Sequence, residues 1–308
     1  MTGEVPMPAD EDCDTMIDNV PAPCDDNMAV DEANPVTAAR AAELCKQANP
    51  ANPKTWGVVT AKWVYPDGST PNNANFDIGH GVIPKFGSGV TTRAGANMLS
   101  LSSGGARDPL SPMVKGYTTG QPMGFPKESP SCPGTVTGTP NDGAGLQVDL
   151  RAPTNATGFS FDFKFYTIEW PVFICSQYND FFVAILSPTP MGQTDGNISF
   201  DSIGNPVSVN NAFLDVCGCS GGPPCTAGGK SFACAAGTGE LTGTGFESHA
   251  GTSWLQTNAP IQGGQNFTLR WATYDSGDGA LDSTTLVDNF QWIANGGTVV
   301  VGTNPVPQ

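Results

Sequence analysis

From Trp56 to Trp292, apolar residues recur mostly at every second position, the spacing of strands that bury one face. The run Trp56–Tyr65 is rich in β-branched and aromatic residues, and Pro66-Asp67-Gly68 turns it. Gly79–Phe86 and Asn97–Ser102 predict further strands, and residues 104–142, heavy in Gly, Pro, Ser and Thr, read as loop. The strongest strands follow: Gly145–Arg151, Thr157–Phe165, Asp180–Leu186, Asn197–Phe200, Pro206–Val209, Asn266–Tyr274 and Thr284–Trp292. Phe159, Phe161, Phe163 and Phe165 alternate, so all four face one side, and that side reads as core. One segment breaks the rhythm. After Asn34-Pro35, the residues Ala38, Ala39, Ala41, Ala42, Glu43 and Leu44 predict a helix over 36–48, closed by Asn49-Pro50. Short strands between turn signals, with one short N-terminal helix, predict an all-β fold: an antiparallel jelly-roll-like β-sandwich over 36–293. A leader over 1–35 precedes it and a tail over 294–308 follows it.

Composition sharpens this picture. Gly 38 and Pro 27 in 308 residues argue for many turns and against long helices. The net charge of −16 is local: residues 1–34 carry ten acids and no Lys or Arg. The other nineteen acids face thirteen bases, so no basic stripe exists to hold nucleic acid or an anionic membrane. No apolar run reaches the length of a membrane span. The start Met1-Thr-Gly-Glu-Val-Pro6 lacks the basic and apolar regions of a secretion signal, so the chain reads as the mature form of a secreted protein.

Nine cysteines point to an oxidising compartment. Cys217, Cys219, Cys225 and Cys234 crowd one Gly/Pro-rich insert, 217–234, and predict two internal disulfides. Zinc is the rival reading there, although paired Cys-x-x-Cys knuckles are missing. Cys13 and Cys24 are expected to bridge within the leader, and the odd number leaves one thiol over.

Catalytic signatures are scarce. His80 and His249 are the only histidines, and neither a Gly-x-Ser-x-Gly elbow nor a His-Glu-x-x-His pair occurs. No catalytic residue and no organic cofactor are expected. The C-terminal loop is the richest in candidate chemistry: Asp275, Asp278 and Asp282 place hard oxygen ligands at short spacing, with Gly277 and Gly279 to fold the backbone around calcium. The alternative is plain, since Asx residues also cap turns. Trp63, Tyr65, Trp170, Tyr178 and Trp254 are the candidates for exposed stacking on sugars.

The stretch Phe159-Ser-Phe-Asp-Phe-Lys-Phe165, then Glu169-Trp-Pro171, Tyr178-Asn-Asp180 and the apolar run to Leu186 resembles the choice-of-anchor L family of bacterial surface proteins. Gly196–Phe200, Asn205–Asn211 and the ending Asp288-Asn-Phe290 agree with it, over roughly 145–292, while 36–110 resembles the start of a longer, myxobacteria-like version. The resemblance implies a secreted or surface β-sandwich and fixes no ligand. Glu169, Asn179 and Asp180 lie in this family-like turn, and their side chains read either as further oxygen donors for the Asp275, Asp278 and Asp282 loop or as turn caps. Beyond Trp292 the chain departs from the family's pattern, with no basic tail, spanning helix or sorting box.

The reading is an extracellular or cell-surface binding and adhesion module, stabilised by calcium and disulfides. Its expected partners are a surface glycan, matrix, or further copies of itself. One alternative is a self-assembling structural subunit in which the β-prone run Thr298–Val301 adds to a neighbour's sheet edge. A second is a carbohydrate-active enzyme, which would need two carboxylates across a groove.

Overall fold

The computed structural model describes residues 23–107, 115–211, 213–294 and 297–307. They are nearly all β. Helix is confined to α1 (Pro35–Ala38) and short 3-10 turns. The first half holds β1 (Gly57–Val64), β2 (His80–Ile83), β3 (Lys85–Phe86), β4 (Val90–Thr91), β5 (Met98–Ser102), β6 (Pro140–Arg151) and β7 (Ala156–Thr167). Then come β8 (Phe181–Ser187), β9 (Val207–Ser208), β10 (Leu214–Val216), β11 (Cys225–Ala227), β12 (Lys230–Phe232) and β13 (Ala250–Thr252). The last four are β14 (Leu255–Pro260), β15 (Asn266–Ser276), β16 (Ser283–Ala294) and β17 (Gly302–Pro305).

One sheet runs β1-β6-β15-β8-β9 and the other β10-β13-β7-β16-β5-β2, with β14 also on β7 and β17 on the far side of β14. Every strand pair is antiparallel. The core lies between these two layers. Leu146, Val148 and Leu150 of β6, Leu269 and Trp271 of β15, and Phe182 of β8 share a buried cluster with the four alternating phenylalanines of β7. Phe161 meets Trp271 edge-on at 5.4 Å and Phe163 meets Phe182 at 4.7 Å between ring centroids. The alternation therefore does mark the core face.

The other face of β7 is buried too, which the alternation does not predict. Ser160, Asp162, Lys164 and Tyr166 lie under loops. Buried charge is tolerated only with partners. Asp162 accepts from Arg93 Nε (3.1 Å), Gln256 Nε2 (2.9 Å) and Asn289 Nδ2 (2.9 Å). The Lys164 ammonium donates to Glu240 Oε2, and the Tyr166 hydroxyl donates to Glu240 Oε1 at 2.7 Å.

The helix predicted over 36–48 is shorter. Asn34 caps it through its side chain, but α1 passes into a 3-10 turn at Ala39–Ala42 and Glu43 is left-handed at φ 65°. The next residues are claimed by sheet-like pairing: Val58 N–H donates to Lys46 C=O and Ala48 N–H to Val58 C=O, both at 2.8 Å. Residues 23–34 lie across the sandwich as a strap. Asp25 is fully buried and accepts from the backbone of Ala96 and Asn97, and Val82 N–H of β2 donates to Val30 C=O.

The predicted Cys13–Cys24 bridge is overturned, because Cys24 is bonded to Cys45. The strap and the 3-10 turn place those two cysteines 5.8 Å apart at Cα, whereas Cys13 lies outside the described residues. Cys132 is joined to Cys175, and within the insert Cys217 is joined to Cys234 and Cys219 to Cys225. The insert does not stand apart as a loop. Its hairpin β11–β12 folds back so that Phe232 meets Trp170 at 4.8 Å. Replacing Cys217 and Cys234 together by serine is expected to cost about 3 kcal/mol, from the entropy released to a loop of this size. Urea denaturation under oxidising conditions measures it, and a loss below about 0.5 kcal/mol would make the bridge energetically idle.

Candidate cation site at the strand ends

Pairing of β15 with β8 and of β16 with β7 brings the β15–β16 turn to the same end of the sandwich as the β7–β8 connection. Backbone hydrogen bonds lock the two: Ile168 N–H donates to Asp282 C=O and Asn179 N–H to Ser276 C=O, both at 3.0 Å. Five of the six predicted oxygen donors are buried here: Glu169, Asn179, Asp180, Asp275 and Asp282. Asp278 is the exception. It is exposed, caps its own turn by accepting from Ala280 N–H, and acts on Glu169 and Asp275 only as a nearby charge.

The carboxyls of Asp180 and Asp275 meet each other, and Glu169 Oε2 accepts from Asp180 N–H at 3.1 Å. Ser103 Oγ donates to Asp180 Oδ2 at 3.4 Å. With the acids ionised, Oδ1 of Asp180, Oδ1 of Asp275 and Oδ1 of Asn179 are buried without a donor. Burial first, and the neighbouring carboxyls second, push Asp275 up to about 12. Burial also pushes Asp180 up to about 8, and Glu169 is raised by burial and by Asp180. Carboxyls this crowded must take up a proton or a cation.

One fixed cation sits beside the group and was not visible in the sequence pattern. Lys115 is buried, donates to Ser102 C=O at 2.8 Å, and feels the charges of Asp142 and Asp282. Its burial brings the ammonium down to about 7. Asp282 itself is seated on Gly104, where a Cβ would fall 2.0 Å from Oδ2 and push the carboxyl aside. Among the described residues, the trio of acidic or sulfur ligand atoms closing within 4.8 Å of one another is Cys24, Glu43 and Cys45, and there both sulfurs belong to a disulfide. Glu169, Asp180 and Asp275 form a more open set.

Three of the five aromatic residues expected to stack on sugars are not exposed to do so. Trp170, Trp254 and Tyr65 are buried. Trp63 stacks on His80 at 3.8 Å and donates its indole N–H to Ala33 C=O, while Tyr178 is half-buried against Phe173. Each ring contributes more by packing under a loop than it would in water. The Trp254 ring is further covered by Arg93 and Lys164, at 5.8 and 5.6 Å. The histidines are likewise built into the frame. His80 is buried under Trp63, and His249 Nδ1 lies 2.9 Å from Trp170 C=O.

The tail also has a place. β17 pairs with β14 of its own chain, from Gly302↔Asn258 to Pro305↔Leu255, one residue beyond the Thr298–Val301 run expected to seek a neighbour's edge.

Among the described residues no helix is long and apolar enough to cross a membrane. Comparison with curated proteins and with solved structures gives no match. The sequence model of the Choice-of-anchor L domain matches residues 70–289, which include β7, the Glu169–Asp180 turn and the β15–β16 loop. That family places the protein at the bacterial surface or in secreted form. The chain belongs to the Choice-of-anchor L domain family.

Proposed function

We propose that this protein is a binding and adhesion module of the bacterial exterior, whose partner is a surface glycan or matrix and whose loop end is organised by calcium. The observation that carries the cation reading is the meeting of Glu169, Asp180 and Asp275 in a buried place with carboxylate oxygens lacking donors. An all-oxygen donor set suits a hard cation, and calcium tolerates the irregular, flexible coordination that such a set offers. Glu169, Asp180 and Asp275 would hold the ion, with Asn179 Oδ1 as a neutral donor. It ties the family-like turn to the last loop, and so presents a rigid loop surface to a partner.

Melting curves with calcium against chelator test this reading. A hundredfold excess of calcium over its Kd is expected to stabilise the fold by about 2.7 kcal/mol. Asp180→Asn should abolish the effect and the exposed Asp278→Ala should leave most of it.

The pH dependence has a definite sign. Asp180 and Asp275 titrate higher in the folded protein than in the unfolded chain, so the cation-free fold holds protons that the unfolded chain releases. Their contribution is full below about pH 4 and is lost as pH rises towards 8 and beyond. Lys115, lowered to about 7, acts in the opposite direction, but only above that value. His80, whose imidazole burial brings down to about 4, opposes the two acids between pH 4 and 6.5, so in chelator stability should fall from pH 5 to 7 by less than the carboxyls alone would give, and calcium should flatten or reverse the slope. An unchanged melt, together with a glycan array that gives the same signal in calcium and chelator, would leave these acids as proton-sharing turn makers and remove the cation from the adhesive reading.

A further inference from the structure

We infer that β17 is an exchangeable strand, and that its second acceptor is the β14 edge of another copy of this chain. The slot on β14 is specific. Four residue pairs form its ladder, and Thr303 Oγ1 lies 2.8 Å from Thr257 Oγ1, which in turn lies 2.9 Å from Ser199 Oγ. Val301 and Val306 pack against two buried clusters of the core, Val306 N–H donates to Trp254 C=O at 2.9 Å, and Arg93 Nη1 donates to Pro307 C=O at 2.8 Å. Every one of these acceptor groups lies far from β17 in sequence. The tail of a second copy meets them identically, so exchange gains and loses the same contacts.

The connection permits it. In the order β16-β7-β14-β17 the tail strand lies three positions from β16. Ala294 sits level with Ala156 of β7 and Gly302 level with Ser160, four residues further along, so with about 4.8 Å per strand across and about 3.4 Å per residue along, the gap is roughly 20 Å. Seven residues, 295–301, cross it, including Gly296 and Gly297. Extended, they reach roughly 23 Å, so docking on the same chain leaves the linker nearly taut and exchange releases that constraint.

Simple addition of a foreign strand to the filled sheet is blocked. Beyond β14 the outer edge is β17 itself, which ends at Pro305 and is followed by Pro307, residues without an N–H to donate. Self-docking competes at an effective concentration in the millimolar range for a short flexible linker, so exchange is populated where copies are packed at comparable density, as on a surface. The inference is independent of the calcium reading.

The experiment places cysteines at Gln256→Cys and Asn304→Cys, which face each other across β14 and β17. Equal amounts of isotopically light and heavy full-length protein are mixed over a range of concentrations, warmed below the melt, and oxidised. Exchange yields disulfide-linked light–heavy peptide hybrids whose share rises with concentration, towards half of all 256–304 linkages. A second chain, lacking residues 296–299, has a linker of three residues reaching roughly 10 Å, too short to close on itself. It is expected to run as dimers or longer species by light scattering, with its 256–304 linkages between chains. Hybrids that stay absent from the full-length linker at every concentration overturn the proposal, whatever the shortened chain does.

Discussion

Phe163→Ala is expected to lower stability by about 3–5 kcal/mol. Phe163 is fully buried at the middle of β7, paired with Val287 on one side and Leu255 on the other. Across the layers its ring meets Phe182, and along the strand it meets Phe161, itself against Trp271. Removing the ring leaves a hole walled by strands of both sheets, which cannot collapse without shifting several ladders at once. The loss is therefore the transfer term plus a cavity that persists. Urea denaturation gives the number directly. Lys62→Ala, on an exposed position of β1, is the control and should stay within about 0.5 kcal/mol. A loss below about 1.5 kcal/mol for Phe163→Ala would mean that the two layers repack freely.

The second large effect belongs to a charged pair. Glu240→Ala removes the carboxylate shared by the Lys164 ammonium and the Tyr166 hydroxyl. Lys164 has no exposed side-chain surface, whereas Glu240 keeps 18%. Breaking a buried pair costs about 3–5 kcal/mol, and the partial solvation of Glu240 sets the expectation at the lower end. The double variant Lys164→Met/Glu240→Leu should recover most of that loss, because the charge and its partner leave together. A full double-mutant cycle in denaturant measures the coupling. Additive single losses would show that Lys164 is held by its surroundings rather than by Glu240. The ammonium titrates low chiefly because it is buried, with Glu240 pulling the other way, so the Glu240→Ala loss should ease as pH rises.

Why parts of this fold are legible and others are not follows from particular residues. The phenylalanines of β7 alternate without interruption, and their apolar side has one place to go. β14 alternates in burial just as cleanly, but its inward position at Thr257 is a hydroxyl that joins Ser199 and Thr303. A polar inward residue erases the hydrophobic period, and β17 disappears from the sequence pattern for the same reason. The acidic loop is visible as a cluster of Asp, but spacing alone ranks Asp278 with Asp275. Only the pairing of β15 with β8 turns one towards Asp180 and leaves the other in water. The tryptophans mislead in the opposite sense: large rings beside polar loops look like platforms, and here the loops close over them. Lys115 carries no local signal at all, because its carboxylate neighbours Asp142 and Asp282 arrive from distant strands.

The strap of residues 23–34 has a consequence for how this domain is excised and recombined. The family match spans 70–289, but β1, the strap and β17 all lie outside it. A fragment cut at those limits would strip β1 from β6, uncover the β2 edge that Val30 occupies, and bare the outer side of β14. Freshly opened sheet edges recruit each other. Chimeras and expression plasmids designed on the limits of the family match should thus yield inclusion bodies, whereas junctions placed before Pro23 and after Pro307 keep the strap, β1 and β17 with the sheets they cover.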